Sequence, residues 1–327
     1  MRRILHLVDD TSPGGVTRLL DYIRQAPEMA ALGRHEVQVV AGGFGRPQRF
    51  EADVIVSHVV LSWRNLAYVA GLKARNRSIP LVHMEHSYSP AFVDLHVPNP
   101  ARFRTMLRLS LGLFDRIITI STAQKAWLES FAGQGAEKLA LIPPCVDLGA
   151  FLALDPAPTP VRRIGAIGRL DPQKGFDILI PAFRAADPAD VTLEIFGEGP
   201  ERARLEALAG EDPRITFHGH TPDPVTAMAC VDAIAMPSRR EPYGLVALEA
   251  LASARPLLVS RRDGLQDHAR MGALTVDELS VDDWAAALSD LVADRLPVDV
   301  LESRTKAANA GATFAAGWAA LLDDLAI

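Results

Sequence analysis

Glu241 and Glu249 stand eight residues apart in EPYGLVALE, where the strand-like run AIAMPS gives way to a helix-like one. From Leu245 to Ala252 every neighbour of Glu249 is apolar. That places its carboxylate at or under the surface, where an unpaired charge costs on the order of several kcal/mol, so it needs donors. Glu241 lies before the helix on a loop shaped by Pro242 and Gly244, next to Tyr243. The amides of Gly244, Leu245 and Val246 open the first helical turn and point at any anion in front of it. A carboxylate at each end with an anion site between them suits a ligand that has hydroxyls at both ends and phosphate in the middle. A nucleotide-sugar has that shape.

A second segment supplies cations. The strand RIGAIG leads to Arg169, DPQ makes a turn, and Lys174-Gly175 opens the helical run FDILIPAF. Arg169 and Lys174 can converge at the carboxyl end of a strand, where parallel α/β sheets bind ligands. A departing diphosphate needs such charge. Alternatively, these two cations form surface ion pairs with Asp171 and Asp177, and Glu241 pairs with Arg239 or Arg240.

Weaker signals lie elsewhere. Gly14-Gly15 follows the first strand and precedes a helix from Val16, so its amides can approach a phosphate or an acceptor. GEGPER at 197–202 and GGFGRP at 42–47 resemble dinucleotide loops, but neither completes G-x-G-x-x-G. Gly197 and Gly199 read as a turn on which a base rests. His218, Gly219 and His220, after RITF, form a second candidate wall for the base. His86 follows a strand in PLVHMEHSYS, with His83 and Glu85 as competing positions and a satisfied structural histidine as the bland alternative. No Asp-x-Asp sits at a strand end, and the VDD triplets at 8–10 and 281–283 lie away from other metal-ligating residues, so no metal site is expected.

These residues need a scaffold of alternating strands and helices. Strand-length apolar runs are ILHLV, VQVVA, VIVSH, PLVHM, RIITI and LALIP in the first half. RIGAIG, VTLEIF, RITFHG, AIAMP and PLLVS follow in the second. Helical-period segments between them predict α/β architecture with parallel sheets and crossover helices. The stretch DLGAFLALDPAPTPV, with its prolines and lack of period, reads as a linker, with the boundary near Ala157. TFAAGWAALLDDLAI reads as a final helix.

A chain of 327 residues with 49% hydrophobic content has room for two well-filled domains. The first residues read as a strand and no apolar run reaches membrane-spanning length, which together with two distant cysteines, Cys145 and Cys230, predicts a cytoplasmic protein with free thiols. The net charge of −6 is unevenly spread: residues 1–150 hold 17 Lys+Arg against 13 Asp+Glu, and residues 151–327 hold 17 against 27. The acidic second half disfavours nucleic-acid binding. Within the basic half, residues 102–114 set Arg102, Arg104 and Arg108 beside Phe103, Met106, Leu107, Leu111 and Phe114. This pattern reads either as a half-buried helix with a solvated face or as a peripheral contact with the inner face of a membrane.

Taken together, GRLDPQKGFDILI, LEIFGEGPERARLEAL and the Glu-x7-Glu segment resemble the retaining glycosyltransferases of family 4 (group 1 glycosyl transferases), which are two-domain enzymes of the GT-B type. SPGGVTR, MEHS, DRIITIS and IPPCVD add weaker matches in the expected order, so the resemblance covers nearly the whole chain. It implies two Rossmann-like domains facing each other across a cleft: 1–156 on the acceptor side, 157–312 binding the nucleotide-sugar, and 313–327 as a helix packing back on the first. It also implies metal-independent transfer of a hexose-type sugar to a hydroxyl acceptor, with retention and no cofactor; the basic first half points to an anionic or lipid-linked acceptor. Arg169 and Lys174 then hold the diphosphate in place of a metal, and Gly15, Tyr243, Gly244 and Leu245 join them around the donor. Glu249 takes the ribose hydroxyls, Glu241 those of the sugar, and His86 faces the sugar near C1.

The chain departs from the family in two places. Pro144-Cys145-Val146-Asp147 replaces the usual Asn-Gly-Val-Asp, and the stretch between VQVVA and VIVSH is short, which puts acceptor recognition in question. A sugar phosphorylase or nucleotide-sugar epimerase on the same scaffold, and a non-catalytic nucleotide-sugar-binding protein, are the rival readings. The base, sugar, acceptor, linkage and oligomeric state are not written in the sequence.

Overall fold

The computed structural model describes residues 1–41, 45–221, 223–296 and 298–326. Residues 42–44 of the GGFGRP segment therefore lie outside the described residues. The chain divides into two compact units, Met1–Asp147 with Ala310–Ile327, and Leu148–Asn309.

The first unit runs β1 (Arg3–Val8), α1 (Gly15–Gln25), α2 (Pro27–Ala30), β2 (Arg34–Val39), β3 (Val54–Ser57), α3 (Trp63–Arg75), β4 (Leu81–Glu85), α4 (Pro90–His96), α5 (Pro100–Gly112), β5 (Arg116–Thr119), α6 (Thr122–Phe131) and β6 (Leu139–Leu141). Its strands form one parallel sheet in the order β2-β1-β3-β4-β5-β6. Helices cover both faces of such a sheet, which is why its central strands are mostly apolar and buried. Ile4, Leu7, Ile55, Val56, Val82 and Ile117 are fully buried. Ser62, Ser89, Asn99 and Ser121 cap α3, α4, α5 and α6 through side-chain oxygens, satisfying amides that the helices leave open.

Residues 102–114 fall largely on α5, and the structure decides between their two readings. Met106, Leu107, Leu111 and Phe114 are at most 3% exposed, and Phe103 packs on the same core. The apolar side proposed for a membrane is thus occupied by the unit's own interior. Arg102, Arg104 and Arg108 form the solvated face.

The second unit runs α7 (Gly149–Leu152), β7 (Arg163–Ile167), α8 (Phe176–Ala186), β8 (Thr192–Phe196), α9 (Arg202–Ala209), β9 (Ile215–Gly219), α10 (Pro224–Ala229), β10 (Ala233–Met236), α11 (Leu245–Ala252), β11 (Leu257–Ser260), β12 (Leu274–Val276), α12 (Val281–Val292) and α13 (Val300–Ala308). Its parallel sheet has the order β12-β11-β10-β7-β8-β9. Consecutive strands spread to one side of β7 and then, from β10, to the other, which makes the β7/β10 boundary a topological switch point.

The segment read as a linker is anchored to this unit. Phe151 of α7 is 2% exposed, Arg304 donates to the Leu154 carbonyl at 2.6 Å, and Arg255 donates to the Asp155 carbonyl at 2.7 Å. The last helix, α14 (Ala310–Asp324), belongs to the first unit. It buries Phe314, Trp318, Leu321 and Leu322 there, and Arg116 pairs with Asp324 at 2.5 Å. Cys145 and Cys230 are free thiols. Among the described residues, no helix is long and apolar enough to cross a membrane.

Candidate active site

In the second unit, the sequence-predicted residues gather at the carboxyl ends of β7 and β10. Beyond β7, Gly168 leads to Arg169, and a short 3-10 turn, Pro172–Lys174, brings Lys174 back over it. Gly175 then starts α8 with φ of 70°, and a Cβ there would sit 2.0 Å from the Pro237 carbonyl oxygen. Only glycine fits so close an approach between the β7 and β10 loops. Arg239 N donates to the Gln173 carbonyl at 2.8 Å, and the Gln173 side chain bridges to the Arg240 carbonyl at 2.8 Å.

The charges follow that framework. Lys174 Nζ pairs with Glu241 Oε2, with both side chains less than one-fifth exposed. Arg169 pairs with Asp171 at 2.6 Å and keeps its side chain 71% exposed. Asp177, the expected partner of Lys174 on the ion-pair reading, is taken instead by Arg239 through two bonds of 2.7 and 2.9 Å. Arg240 donates to Gln173 Oε1 at 2.6 Å, and burial holds its guanidinium below the ordinary arginine value.

Glu241 sits before α11, whose N-cap, Gly244, has φ of 94° and offers no side-chain cap. The first-turn amides of α11 therefore keep the anion-facing geometry of a helix start. Tyr243 is 6% exposed and lies against His268, whose Nε2 contacts the Tyr243 carbonyl at 3.0 Å. Glu249 is fully buried on α11, beneath the surface as its apolar neighbours require.

The glycine candidates sit in closely packed backbone. Gly197 N donates to the Gly219 carbonyl at 2.7 Å, Gly168 N to Phe196 at 2.9 Å and Leu170 N to Glu198 at 2.9 Å. A Cβ on Gly197 would lie 1.9 Å from the Gly168 oxygen, and one on Gly199 2.2 Å from the Leu170 oxygen. These glycines zip the β8 and β9 loops onto the backbone around Arg169. His218 pairs with Glu194 at 2.6 Å and stacks on Phe196 at 4.3 Å, while His220 is exposed.

Sequence reasoning missed Asp263. Its Oδ2 accepts the Glu241 amide at 3.2 Å, and the neighbouring Gly264 amide donates to the Glu241 carbonyl at 3.0 Å. The signal was available: Asp263-Gly264 is a turn dipeptide following the strand PLLVS.

Gly15 and His86 belong to the first unit. Gly15 is exposed at the start of α1. His86 is half-buried just beyond β4, and burial lowers its pKa to about 4, so the ring is neutral near pH 7. His83 and Glu85 point to the opposite sheet face. Glu85 there accepts the Ser87 and Tyr88 amides at 2.8 and 3.0 Å and contacts His83 at 3.2 Å. Among the described residues, no group of three or more His, Cys, Asp or Glu is placed to hold a metal.

Comparison with known proteins identifies the scaffold. Residues 161–294 match the family described as glycosyl transferases group 1, and residues 48–150 match glycosyltransferase family 4. The chain is 30% identical over 290 residues to D-inositol 3-phosphate glycosyltransferase of Rhodococcus jostii, an alignment covering 78% of this chain and 62% of that protein. The chain thus spans about three-fifths of the length of that relative. Its fold is similar to that of Anabaena HepE, solved with UDP-glucose (TM-score 0.68, 21% identity, 97% of this chain and 95% of that one). It is also similar to a Rickettsia africae glycosyltransferase (TM-score 0.74, 14% identity, 98% of each chain). Two matched family descriptions, in chain order and on two parallel α/β units of the expected kind, place this chain in glycosyltransferase family 4, the group 1 glycosyl transferases.

Proposed function

We propose that this protein transfers a hexose-type sugar from a uridine diphosphate sugar to a hydroxyl acceptor, with retention and without a metal ion. The observation that carries this reading is the meeting of Arg169, Lys174, Arg240 and Glu241 at the β7/β10 switch point, in front of the uncapped start of α11. Breaking the C1–O bond of such a donor builds negative charge on the diphosphate and positive charge on the sugar, so the main demand on the protein is electrostatic. Arg169, Lys174 and the α11 amides answer the first charge. Glu241 takes the sugar hydroxyls, and Glu249 the ribose.

With no enzymic nucleophile assigned, retention follows a same-face route. The bond from C1 to the diphosphate oxygen breaks, the bond from C1 to the acceptor oxygen forms, and the acceptor proton passes to the leaving diphosphate. Uridine as the base is supported by the UDP-glucose complex of HepE. A phosphorylated polyol as acceptor is supported by the name of the Rhodococcus relative and by the basic first half.

Thermal-shift screening with uridine, guanosine and adenosine diphosphates and their hexose derivatives tests the donor, since a ligand that binds the native state raises its melting temperature. UDP and one UDP-hexose are expected to stabilise. Transfer to inositol phosphate in EDTA, followed by NMR of the product's anomeric centre, tests the rest. An inverted product, or a strict need for added metal, would overturn the mechanism.

A further inference from the structure

Four histidines in the first unit form one hydrogen-bonded chain. His86 Nε2 lies 2.7 Å from His58 Nδ1, His58 Nε2 lies 2.9 Å from His6 Nδ1, and His6 Nε2 lies 3.0 Å from His35 Nδ1. The rings stand on adjacent strands in the order β4, β3, β1, β2. The registers Ser57↔His83, Leu7↔Ser57 and Ile4↔His35 show how they are placed. Each histidine lies two residues further along its strand than its neighbour in the chain. A step of two keeps all four on one sheet face, because side chains alternate along a strand. The far end is closed by Trp318 of α14, whose ring centroid is 5.7 Å from His6 and 6.0 Å from His35.

We propose that His58, backed by His6 and His35, is a positioning chain for His86: it grips the ring by Nε2, couples its tautomer to theirs and leaves Nδ1 as the nitrogen outside the chain. The functional consequence rests on the reading of His86 as a donor-facing residue.

The proton count carries the argument. Each N···N contact needs one N–H and one lone pair, so four neutral rings must all donate in the same sense along the chain. No ring can change tautomer alone. Three contacts hold one proton each and the two free ends hold one each, so at most five protons fit on the four rings; a sixth would set two N–H groups face to face. Burial keeps His6 and His58 well below the ordinary histidine range, and His35 and His86 at about 4, so the chain is neutral near pH 7. The nitrogen separations are those of hydrogen bonds. Two ligands on one metal ion, each about 2.1 Å from it, stand further apart.

Imidazole 15N NMR of the full chain at pH 7 tests the chain itself. All four rings are expected in the same tautomer, and mixed tautomers would overturn the proposal. His58→Leu should release His86 into a mixture of tautomers and lower kcat about ten- to a hundredfold, the usual cost of losing a group that orients another. UDP-induced stabilisation should persist in that variant. His58→Asn keeps an amide for His86 Nε2 and should recover most of the lost kcat. A single His86 tautomer in His58→Leu, an unchanged kcat, or failure of His58→Asn to recover it beyond His58→Leu would each overturn the positioning role. The tautomer readout requires no turnover. Intact transfer in His86→Ala would remove the donor-facing reading of His86, while NMR judges the chain separately.

Discussion

Lys174 and Glu241, 67 residues apart in sequence, form an ion pair across the β7/β10 switch point. A cation assigned to the diphosphate and a carboxylate assigned to the sugar are therefore held in one place by each other. Both side chains are largely removed from water, so neither charge is cheap to leave alone. Lys174→Met should destabilise the fold by roughly 1–3 kcal/mol, because it strands a desolvated carboxylate. Adding Glu241→Gln should recover most of that loss. Urea denaturation of the two single variants and the double variant measures the coupling. Additive effects would show that the pair is not energetically linked.

Arg169 behaves differently. Its side chain is 71% exposed and its partner, Asp171, is two residues away, so the pair adds little to the fold. Arg169→Ala should leave chemical denaturation within about 0.5 kcal/mol of the parent. It should nonetheless weaken UDP binding about tenfold or more, the worth of one charge-assisted bond. Calorimetric titration at two salt concentrations checks both the loss and its reduced salt dependence. A stable variant with undiminished affinity removes Arg169 from the site.

The neutral histidines make stability sensitive to mild acid. His35, His86 and His268 titrate at about 4 in the folded chain, and His6 and His58 lower still, all because burial disfavours the charged ring. In the unfolded chain each binds a proton near pH 6.5. Below that pH the unfolded state holds more protons, so stability falls as pH drops toward 4, by about 1.4 kcal/mol per pH unit for each such ring. The groups around them do not reverse the sign. His6 and His35 face Trp318, the Met29 carbonyl favours a proton on His35, Glu85 favours one on His86, and Asp267 and Glu241 favour one on His268. Melting temperatures between pH 7 and 5 should fall steeply in the parent, and less so in His268→Phe. A flat profile across that window would show that these rings take up protons in the native state as readily as in the unfolded chain.

The strands were legible because parallel sheets covered on both faces favour mostly apolar runs. Eleven such runs correspond to β1 through β11, but β12, only three residues long in GALTVDE, has too little length to show a period. The anchoring of the linker was not legible because prolines report backbone shape and not tertiary contacts; Arg255 and Arg304, about 100 and 150 residues away, donate to carbonyls of that segment and hold it to the second unit. Gly197 and Gly199 announced a turn, but not that another backbone would occupy the space beside it. The histidine chain lay further from view. Its members are separated by 28, 52 and 29 positions, and only strand order and register turn them into neighbours.

Glu249 offers the sharpest test of how the donor is divided among these residues. It sits fully buried on α11, eight positions after Glu241, whereas the proposal assigns the first-turn amides and cations to the diphosphate. If it receives the ribose hydroxyls, its removal should affect only ligands that carry a ribose. Glu249→Ala should abolish the UDP-induced rise in melting temperature, a loss of about a hundredfold or more in affinity for two bonds to a charged acceptor. Stabilisation by inorganic pyrophosphate should survive, because Arg169, Lys174 and the α11 amides remain. Equal loss of both ligands would mean that Glu249 supports the α11 start rather than the ribose, and undiminished UDP binding would place the ribose elsewhere.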